Sequence, residues 1–210
     1  MAILIAAGLF GALFGSVEII ARRYRINTES SRKFVHIIAG VAAAFLPFGL
    51  TFPQIVVLAL IFIPIMLISR NANLFSAIHK VSRRTYGELF FPLAIALTAL
   101  LFPHRLPYMF GILVMALSDG FASVIGLKYG RRLYIIWHSR KSYVGSSMFL
   151  IISALLGITI LIVNGLAFAH AIFAGLVLAG VLTVIEAALP YGLDNLVLPL
   201  LGALLFQLII

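Results

Sequence analysis

The sequence predicts an all-α integral membrane protein, a bundle of about eight transmembrane helices that forms one domain over residues 1–210. Three observations predict this fold. The chain is 63% hydrophobic and only 10% charged, whereas soluble domains carry about 25% charged residues. Apolar stretches suited to crossing a hydrocarbon core of ~30 Å follow one another along almost the whole chain. The basic residues are concentrated in the loops between those stretches.

Eight apolar spans are predicted, several of them separated by turns rich in Pro, Gly or Asn. They are residues 2–21, 34–50, 53–69, 87–102, 107–127, 146–164, 167–188 and 193–210. Some are short for a full crossing, and Pro64, Pro92 and Pro199 predict kinks or partial burial within them. No basic leader precedes the first span, so we expect a retained helix rather than a cleaved signal peptide. Residues 74–86 alternate apolar and basic side chains at helical spacing, which predicts a short surface helix.

The basic residues also predict the orientation of the spans. Fourteen of the fifteen Lys and Arg residues lie in the loops after the first, third and fifth spans, and only Arg105 lies opposite. By the positive-inside rule those loops are cytoplasmic and both termini are outside, in a multi-pass protein of the cell membrane. The rule explains most of the net charge of +9, so nucleic-acid binding is not predicted. The chain has no cysteine, which excludes thiolate chemistry.

Asp119 is the strongest candidate for a functional residue. A carboxylate at the centre of a membrane helix costs about 2.5–3.5 kcal/mol on insertion scales, so it needs a partner or a purpose. Asp119 lies within the span 107–127, and Ser123 and Gly126 follow it at i+4 and i+7. This small, polar stripe favours a functional site. The alternative is an ion pair with a basic residue of a neighbouring helix.

A second candidate site lies in the basic loop that follows Asp119. It begins near Lys128 and Arg131 and ends in Arg140-Lys141-Ser142, with Gly145 opening the next helix. Glycine lets backbone N–H groups approach phosphate oxygens, and a helix N-terminus and basic side chains add positive potential. The loop is therefore a candidate phosphate cradle. The alternative is a positive-inside loop with a serine N-cap.

Further polar residues lie toward the same side of the predicted membrane. Lys33 and His36 share one face of the second span, where a snorkelling lysine and a packing histidine are the simpler alternatives. Acidic and amide side chains follow at the ends of later spans: Glu88, Glu186, Asp194 and Asn195. They have helix-end electrostatics as an alternative explanation. Hard oxygen ligands among Lys and Arg nevertheless suit Mg²⁺ bound together with substrate phosphates, and favour phosphoryl chemistry.

Four blocks of the sequence resemble the CTP-dependent lipid kinases: dolichol kinase, phytol kinase and the yeast-type CTP-dependent diacylglycerol kinase. The blocks are Arg32-Lys33-Phe34-Val35-His36-Ile37 with Gly40, Asp119 to Gly130, Lys141-Ser142 with Gly145-Ser146, and Glu186 to Asp194-Asn195-Leu196 with Pro199. The resemblance implies transfer of the γ-phosphoryl group of CTP to a lipid hydroxyl, with a divalent metal, at a cytoplasm-facing site. A more distant likeness is to the phosphatidate cytidylyltransferases.

Together these features lead us to expect a kinase for an isoprenoid or polyprenol alcohol such as dolichol or phytol. The tail would enter laterally from the bilayer and the nucleotide from the cytoplasm. The expected catalytic residues are Asp119, Lys33 and His36. The expected phosphate-binding residues are Ser123, Gly126, Lys128, Arg131, Arg140, Lys141, Ser142 and Gly145. The expected Mg²⁺ ligands are drawn from Glu88, Asp119, Glu186, Asp194 and Asn195.

Two kinds of alternative stay open at this point. A diacylglycerol kinase or a phosphatidate cytidylyltransferase would use the same residue types on another lipid. A small secondary transporter would use Asp119 as an intramembrane coupling carboxylate. The sequence does not determine the oligomeric state, and a homo-oligomer is compatible with it.

Overall fold

The computed structural model describes residues 1–72 and 87–210. Within these ranges the chain forms nine α-helices and one β-hairpin. The helices are α1 Ala2–Tyr24, α2 Thr28–Ala44, α3 Phe52–Asn71, α4 Gly87–Leu101, α5 Arg105–Leu113, α6 Gly120–Tyr129, α7 Tyr143–Val163, α8 Phe168–Ala188 and α9 Asp194–Gln207. The predicted surface helix over 74–86 lies outside the described residues, together with three of the basic residues in its loop.

The helices confirm the predicted class of all-α polytopic membrane protein. Six helical segments of the described chain are long and apolar enough to cross a membrane: Ala2–Tyr24, Thr28–Phe48, Phe52–Asn71, Arg105–Tyr129, Tyr143–Val163 and Phe168–Ala188. The fourth and eighth predicted spans correspond to the shorter apolar helices α4 and α9. Three predicted helix prolines, Pro64, Pro92 and Pro199, lie inside α3, α4 and α9.

The segment Arg105–Tyr129 forms the centre of the bundle. It runs through α5, a π-helical stretch Val114–Asp119 and α6. In its 18-residue apolar window 61% of the residues are buried inside the protein, against 11% in α1. Such π-helical turns widen a helix locally and occur frequently at functional sites. Here the turn ends at Asp119, which therefore lies at the centre of the fold rather than against lipid.

Glycine and tyrosine fix the neighbours of this central segment. A Cβ added to Gly111 would lie 3.0 Å from the backbone nitrogen of Ala203, so α5 and α9 pack with their backbones in contact. The buried Tyr108 hydroxyl donates a hydrogen bond of 3.0 Å to the carbonyl of Ala43 and ties α5 to α2. The same close approach recurs between α6 and α7, where a Cβ on Gly126 would lie 3.4 Å from the Cα of Gly145.

The fifth loop contains a β-hairpin that the sequence analysis did not predict. Strand β1, Leu133–Ile136, pairs antiparallel with β2, Ser139–Ser142, and Tyr134 lies opposite Lys141. Leu133 to Ile136 is a β-prone run inside a basic loop, and Trp137 in the turn has a φ of 51°. The hydroxyl of Ser139 donates to the carbonyl of Leu189 at 3.3 Å. The hairpin is thereby fixed against the end of α8.

Candidate active site

A buried ion pair joins α2 to the central helix. The Nζ atom of Lys33 lies 3.1 Å from Oδ2 of Asp119, and only 9% and 1% of these two side chains are exposed. The Nε2 atom of His36 lies 3.9 Å from the same carboxylate oxygen. The residues are on adjacent elements because Gly120 has no side chain: a Cβ there would lie within 3.0 Å of the Ile37 side chain. The predicted catalytic trio is thus assembled at one point.

The π-helical turn orients His36. Its Nε2 atom lies 2.9 Å from the backbone carbonyl of Met115, which can only accept, so this nitrogen donates. The ring also packs edge-on against Phe91, at 5.1 Å between centroids. Two fixed contacts therefore hold the imidazole beside Asp119.

A second charge cluster centres on Lys141 of strand β2. Its ammonium group donates to Glu186 near the end of α8 and lies 3.5 Å from Oδ2 of Asp194 at the start of α9. Burial alone would lower the pKa of Lys141, but the carboxylates of Asp194, Glu186 and Asp119 outweigh it and raise the pKa above the ordinary lysine range. Lys141 is therefore charged at neutral pH. Lys33 of the first cluster and Lys141 of the second line the same cavity.

A cavity of about 600 Å³ lies between the two clusters, the size expected of a pocket for a small organic ligand. Most of the predicted site residues line it: Lys33, Ser123, Gly126, Arg140, Lys141, Ser142, Gly145, Glu186, Asp194 and Asn195. The wall is cationic at Arg32, Lys33, Arg140 and Lys141, whereas the acidic groups converge near Lys141. An anionic ligand of nucleotide size matches both the volume and the sign of this charge.

Five predicted residues are not among those lining the cavity. Lys128 and Arg131 are exposed, and the Lys128 ammonium group lies 5.1 Å from the ring centroid of Tyr129. Glu88 lies 3.1 Å from Arg70 in an ion pair at the start of α4. His36 lines a smaller pocket beside the cavity, and Asp119, which is 1% exposed, lines neither. The predicted roles of these residues stay predictions.

The predicted phosphate cradle has a capped helix start. The hydroxyl of Ser142 accepts a hydrogen bond of 3.1 Å from the backbone N–H of Gly145, as an N-cap does. That N–H is thus already used within the protein. A Cβ on Gly145 would lie 3.0 Å from the carbonyl of Ala122, so this glycine serves helix packing. What the cradle offers an anion is the start of α7 with the side chains of Arg140 and Lys141.

Several oxygen atoms in the site are buried without a hydrogen-bond partner in the described part of the chain: Asp119 Oδ1, Glu186 Oε2 and Asn195 Oδ1. Buried acceptors of this kind are expensive unless something satisfies them. All three are hard oxygen atoms, the ligand type that Mg²⁺ prefers. Across residues 1–72 and 87–210, no group of three His, Cys, Asp or Glu side chains is arranged to hold a metal. The chemistry fits a Mg²⁺ ion that substrate phosphates help to bind.

Two further residues, neither of them predicted, contribute to the site. Arg32 lines both the cavity and the adjacent apolar pocket, and it pairs with Glu29 at 2.9 Å. Its position next to the candidate residue Lys33 could have identified Arg32 from the sequence. Tyr134 of the unpredicted hairpin shares a hydrogen bond with the hydroxyl of Ser146, which lines the cavity. Nothing in the residue spacing pointed to that contact.

Comparison with known proteins gives one informative match. The chain is 32% identical to phytol kinase of Synechocystis sp. over 214 aligned residues, which cover 98% of this chain and 90% of that protein. No family model matches the chain. No solved structure gives a significant match.

Proposed function

The chain belongs to the CTP-dependent lipid kinase family of phytol kinase, and we propose that it transfers the γ-phosphoryl group of CTP to the hydroxyl of an isoprenoid or polyprenol alcohol. Membership makes it a membrane-embedded lipid-alcohol kinase. The donor nucleotide, the acceptor and the cytoplasmic location of the site are our proposal. The positive-inside distribution of basic residues supports that location.

The observation that carries the proposal is the paired arrangement of charges around one cavity. Lys33, whose partner is the buried Asp119 carboxylate, lines this cavity together with the cations Arg140 and Lys141. Phosphoryl transfer needs mainly positioning and charge stabilisation, because the transferring group supplies little covalent chemistry for the protein to assist. Cations supply the stabilisation, and Asp119 supplies an acceptor beside them.

The proposed reaction is a direct displacement. The lipid hydroxyl oxygen forms a bond to the γ-phosphorus while the bond from that phosphorus to the β–γ bridging oxygen breaks. CDP leaves with the bonding electron pair, and the hydroxyl proton passes to a carboxylate oxygen. Oδ1 of Asp119 suits this role because it is buried and has no hydrogen-bond donor among the described residues. Lys33 fixes the other oxygen of the carboxylate at 3.1 Å.

We also propose Mg²⁺ as the cofactor. Glu186, Asp194 and Asn195 would hold it, since all three line the cavity and Glu186 and Asn195 each have a buried oxygen without a hydrogen-bond donor among the described residues. When bound, the ion would neutralise charge on the donor's phosphate oxygens. Lys141 stands between Glu186 and Asp194 and keeps these carboxylates together.

The test is a transfer assay with purified protein in detergent. The protein is incubated with CTP, ATP, GTP or UTP labelled at the γ position, together with phytol, a polyprenol or diacylglycerol, and the extracted lipid is counted. We expect label in the isoprenoid alcohol and preference for CTP. A parallel reaction contains CTP labelled at the α position and phosphatidate as the acceptor. Label in lipid from the α position, and none from the γ position, would instead identify a cytidylyltransferase. Absence of transfer from every nucleotide would refute the proposal.

A further inference from the structure

We infer that a narrow apolar groove between α1, α3 and α4 receives the tail of the acceptor. The inference rests on the proposed function and adds to it the path of the tail. It also assigns a role to a part of the molecule that the transfer chemistry leaves unused.

Two small pockets form this groove. The inner pocket lies against α2 and α4, and the outer pocket lies between α1, α3 and α4. Both are lined by Phe14, Met66, Glu88 and Phe91, so they adjoin each other. The inner pocket also shares Arg32, Lys33 and Asn195 with the 600 Å³ cavity. Together the three pockets mark the passage that we assign to the acceptor, from the cavity past Lys33 into the apolar interior.

The passage is polar at its inner end and apolar at its outer end, which matches a lipid alcohol with its hydroxyl group and its hydrocarbon tail. The inner end carries Lys33 and His36, close to the carboxylate of Asp119. The outer pocket is lined by apolar side chains throughout, except for Glu88. Phe62 there packs edge-on against Phe10 and Phe14, at 5.7 and 5.9 Å between ring centroids. A hydroxyl at the inner end and a hydrocarbon tail at the outer end would each meet a matching surface.

The two pockets follow α3. Each holds about 60 Å³, a tenth of the 600 Å³ cavity. Their lining runs along α3 from Met66 to Ile55, about 16 Å at 1.5 Å per residue. That length is roughly half of the ~30 Å hydrocarbon core, so the groove extends well into the region where a lipid tail lies.

Helix α1 forms the outer wall of the groove and is the least buried of the six long segments. Only 11% of the residues in its most apolar part are buried inside the protein, whereas the other five segments have 28% or more. Few contacts hold α1 in place, so a tail can enter from the bilayer beside it. Phe14 of α1 nevertheless faces inward and is 9% exposed.

Substituting a residue of the groove tests the inference kinetically. Met66 is 6% exposed and faces the groove, whereas its neighbour Leu67 is 41% exposed and faces outward. Met66→Trp should raise the KM for phytol at least tenfold. The KM for CTP should be unchanged. Leu67→Trp, the matched control, should leave both constants unchanged. Equal effects of the two variants on phytol, or none from Met66→Trp, would overturn the groove.

Cross-linking tests the same inference on the unmodified protein and without turnover. Phytol carrying a diazirine on its tail is bound, irradiated, and the adducts are mapped by mass spectrometry. We expect adducts on Phe14, Met66 or Phe91, displaced by excess phytol. Adducts confined to outward residues such as Leu67, or unaffected by competitor, would refute the groove. Adducts in the groove without transfer from any nucleotide would retain the groove and reject the proposed kinase reaction.

Discussion

Lys33 and Asp119 are 86 residues apart in the chain, yet Nζ and Oδ2 of these two side chains lie 3.1 Å apart inside the protein. Removing two charges from water is costly, and such pairs often contribute little to stability compared with apolar residues of similar size. The pair is therefore poorly explained by stability alone. Lys33 lines both the large cavity and the smaller pocket beside it, which supports the role in phosphoryl transfer that we propose for the pair.

Asp119→Asn should lower phosphoryl transfer by at least about 100-fold, the usual contribution of a positioned general base. The variant also leaves the buried Lys33 charge without its partner, which typically costs about 3–5 kcal/mol of stability. The double variant Lys33→Met/Asp119→Asn should recover thermal stability in detergent without recovering activity. Transfer assays and melting curves on the three proteins measure both effects. Full turnover by Asp119→Asn would remove Asp119 from the mechanism.

Gly111→Ala should destabilise the bundle by about 1–3 kcal/mol, the usual cost of overpacking a core. The added methyl group would meet the backbone of α9 at Pro199 and Ala203, which cannot move aside as a flexible side chain can. Gly11→Ala is the control, because nothing lies within 4 Å of a Cβ there. Melting temperatures in detergent should separate the two. Equal melting temperatures would contradict the close packing of α5 on α9.

The sequence predicts the spans well because hydrophobicity is a local property. Each predicted apolar stretch corresponds to a helix, and Asp119 stands out because a carboxylate is rare in such a stretch. Which side chains form pairs is not a local property, because it depends on how the helices cross. Lys33 and Asp119 were both candidates, but only the close packing of α2 at Gly120 makes them partners.

The hairpin and the partners of the acidic residues could not be predicted from local sequence patterns either. The hairpin arises from four-residue strands within a basic loop, too short to stand out by periodicity. It carries Lys141 to the ends of α8 and α9, where Glu186 and Asp194 meet it. Glu88 resembles these acids in sequence, yet it pairs with Arg70 and borders the groove instead. Helix-end position alone does not distinguish these acids.

Substituting Asp194 should change the Mg²⁺ concentration that transfer requires. Asp194→Asn is expected to raise the Mg²⁺ concentration for half-maximal transfer by about 10-fold or more, since losing a ligand or its support commonly costs 10–100-fold in metal affinity. Glu18→Gln is the matched control, because Glu18 pairs with Arg22 on α1 and is not among the residues lining the cavity. Titrating Mg²⁺ against transfer rate measures both. Undiminished transfer in a chelator would refute the metal requirement.

Nucleotide affinity should be nearly independent of pH between about pH 7 and pH 9. The neighbouring carboxylates raise the pKa of Lys141, so its charge persists above the ordinary lysine value of about 10.4. The interaction it provides is fully present below that value and is lost only as pH rises through the higher folded-state pKa. Binding titrations at the two pH values should agree within about threefold. A tenfold weakening at the higher pH would mean that Lys141 deprotonates early and that the surrounding carboxylates do not hold its charge.

Lys141→Ala should weaken nucleotide binding by about 10–100-fold, because a hydrogen bond to a charged group contributes roughly 1.5–3 kcal/mol. The loss should appear in the Kd for CTP measured by calorimetry, which needs no turnover. Arg132→Ala is the matched control: it removes a cation from the same loop, but Arg132 is exposed and is not among the residues lining the cavity. Its Kd should be unchanged. If the two variants bind CTP equally well, Lys141 does not contact the nucleotide and is only one of the loop charges that orient the protein. A difference is expected because Lys141 lines the cavity and Arg132 does not.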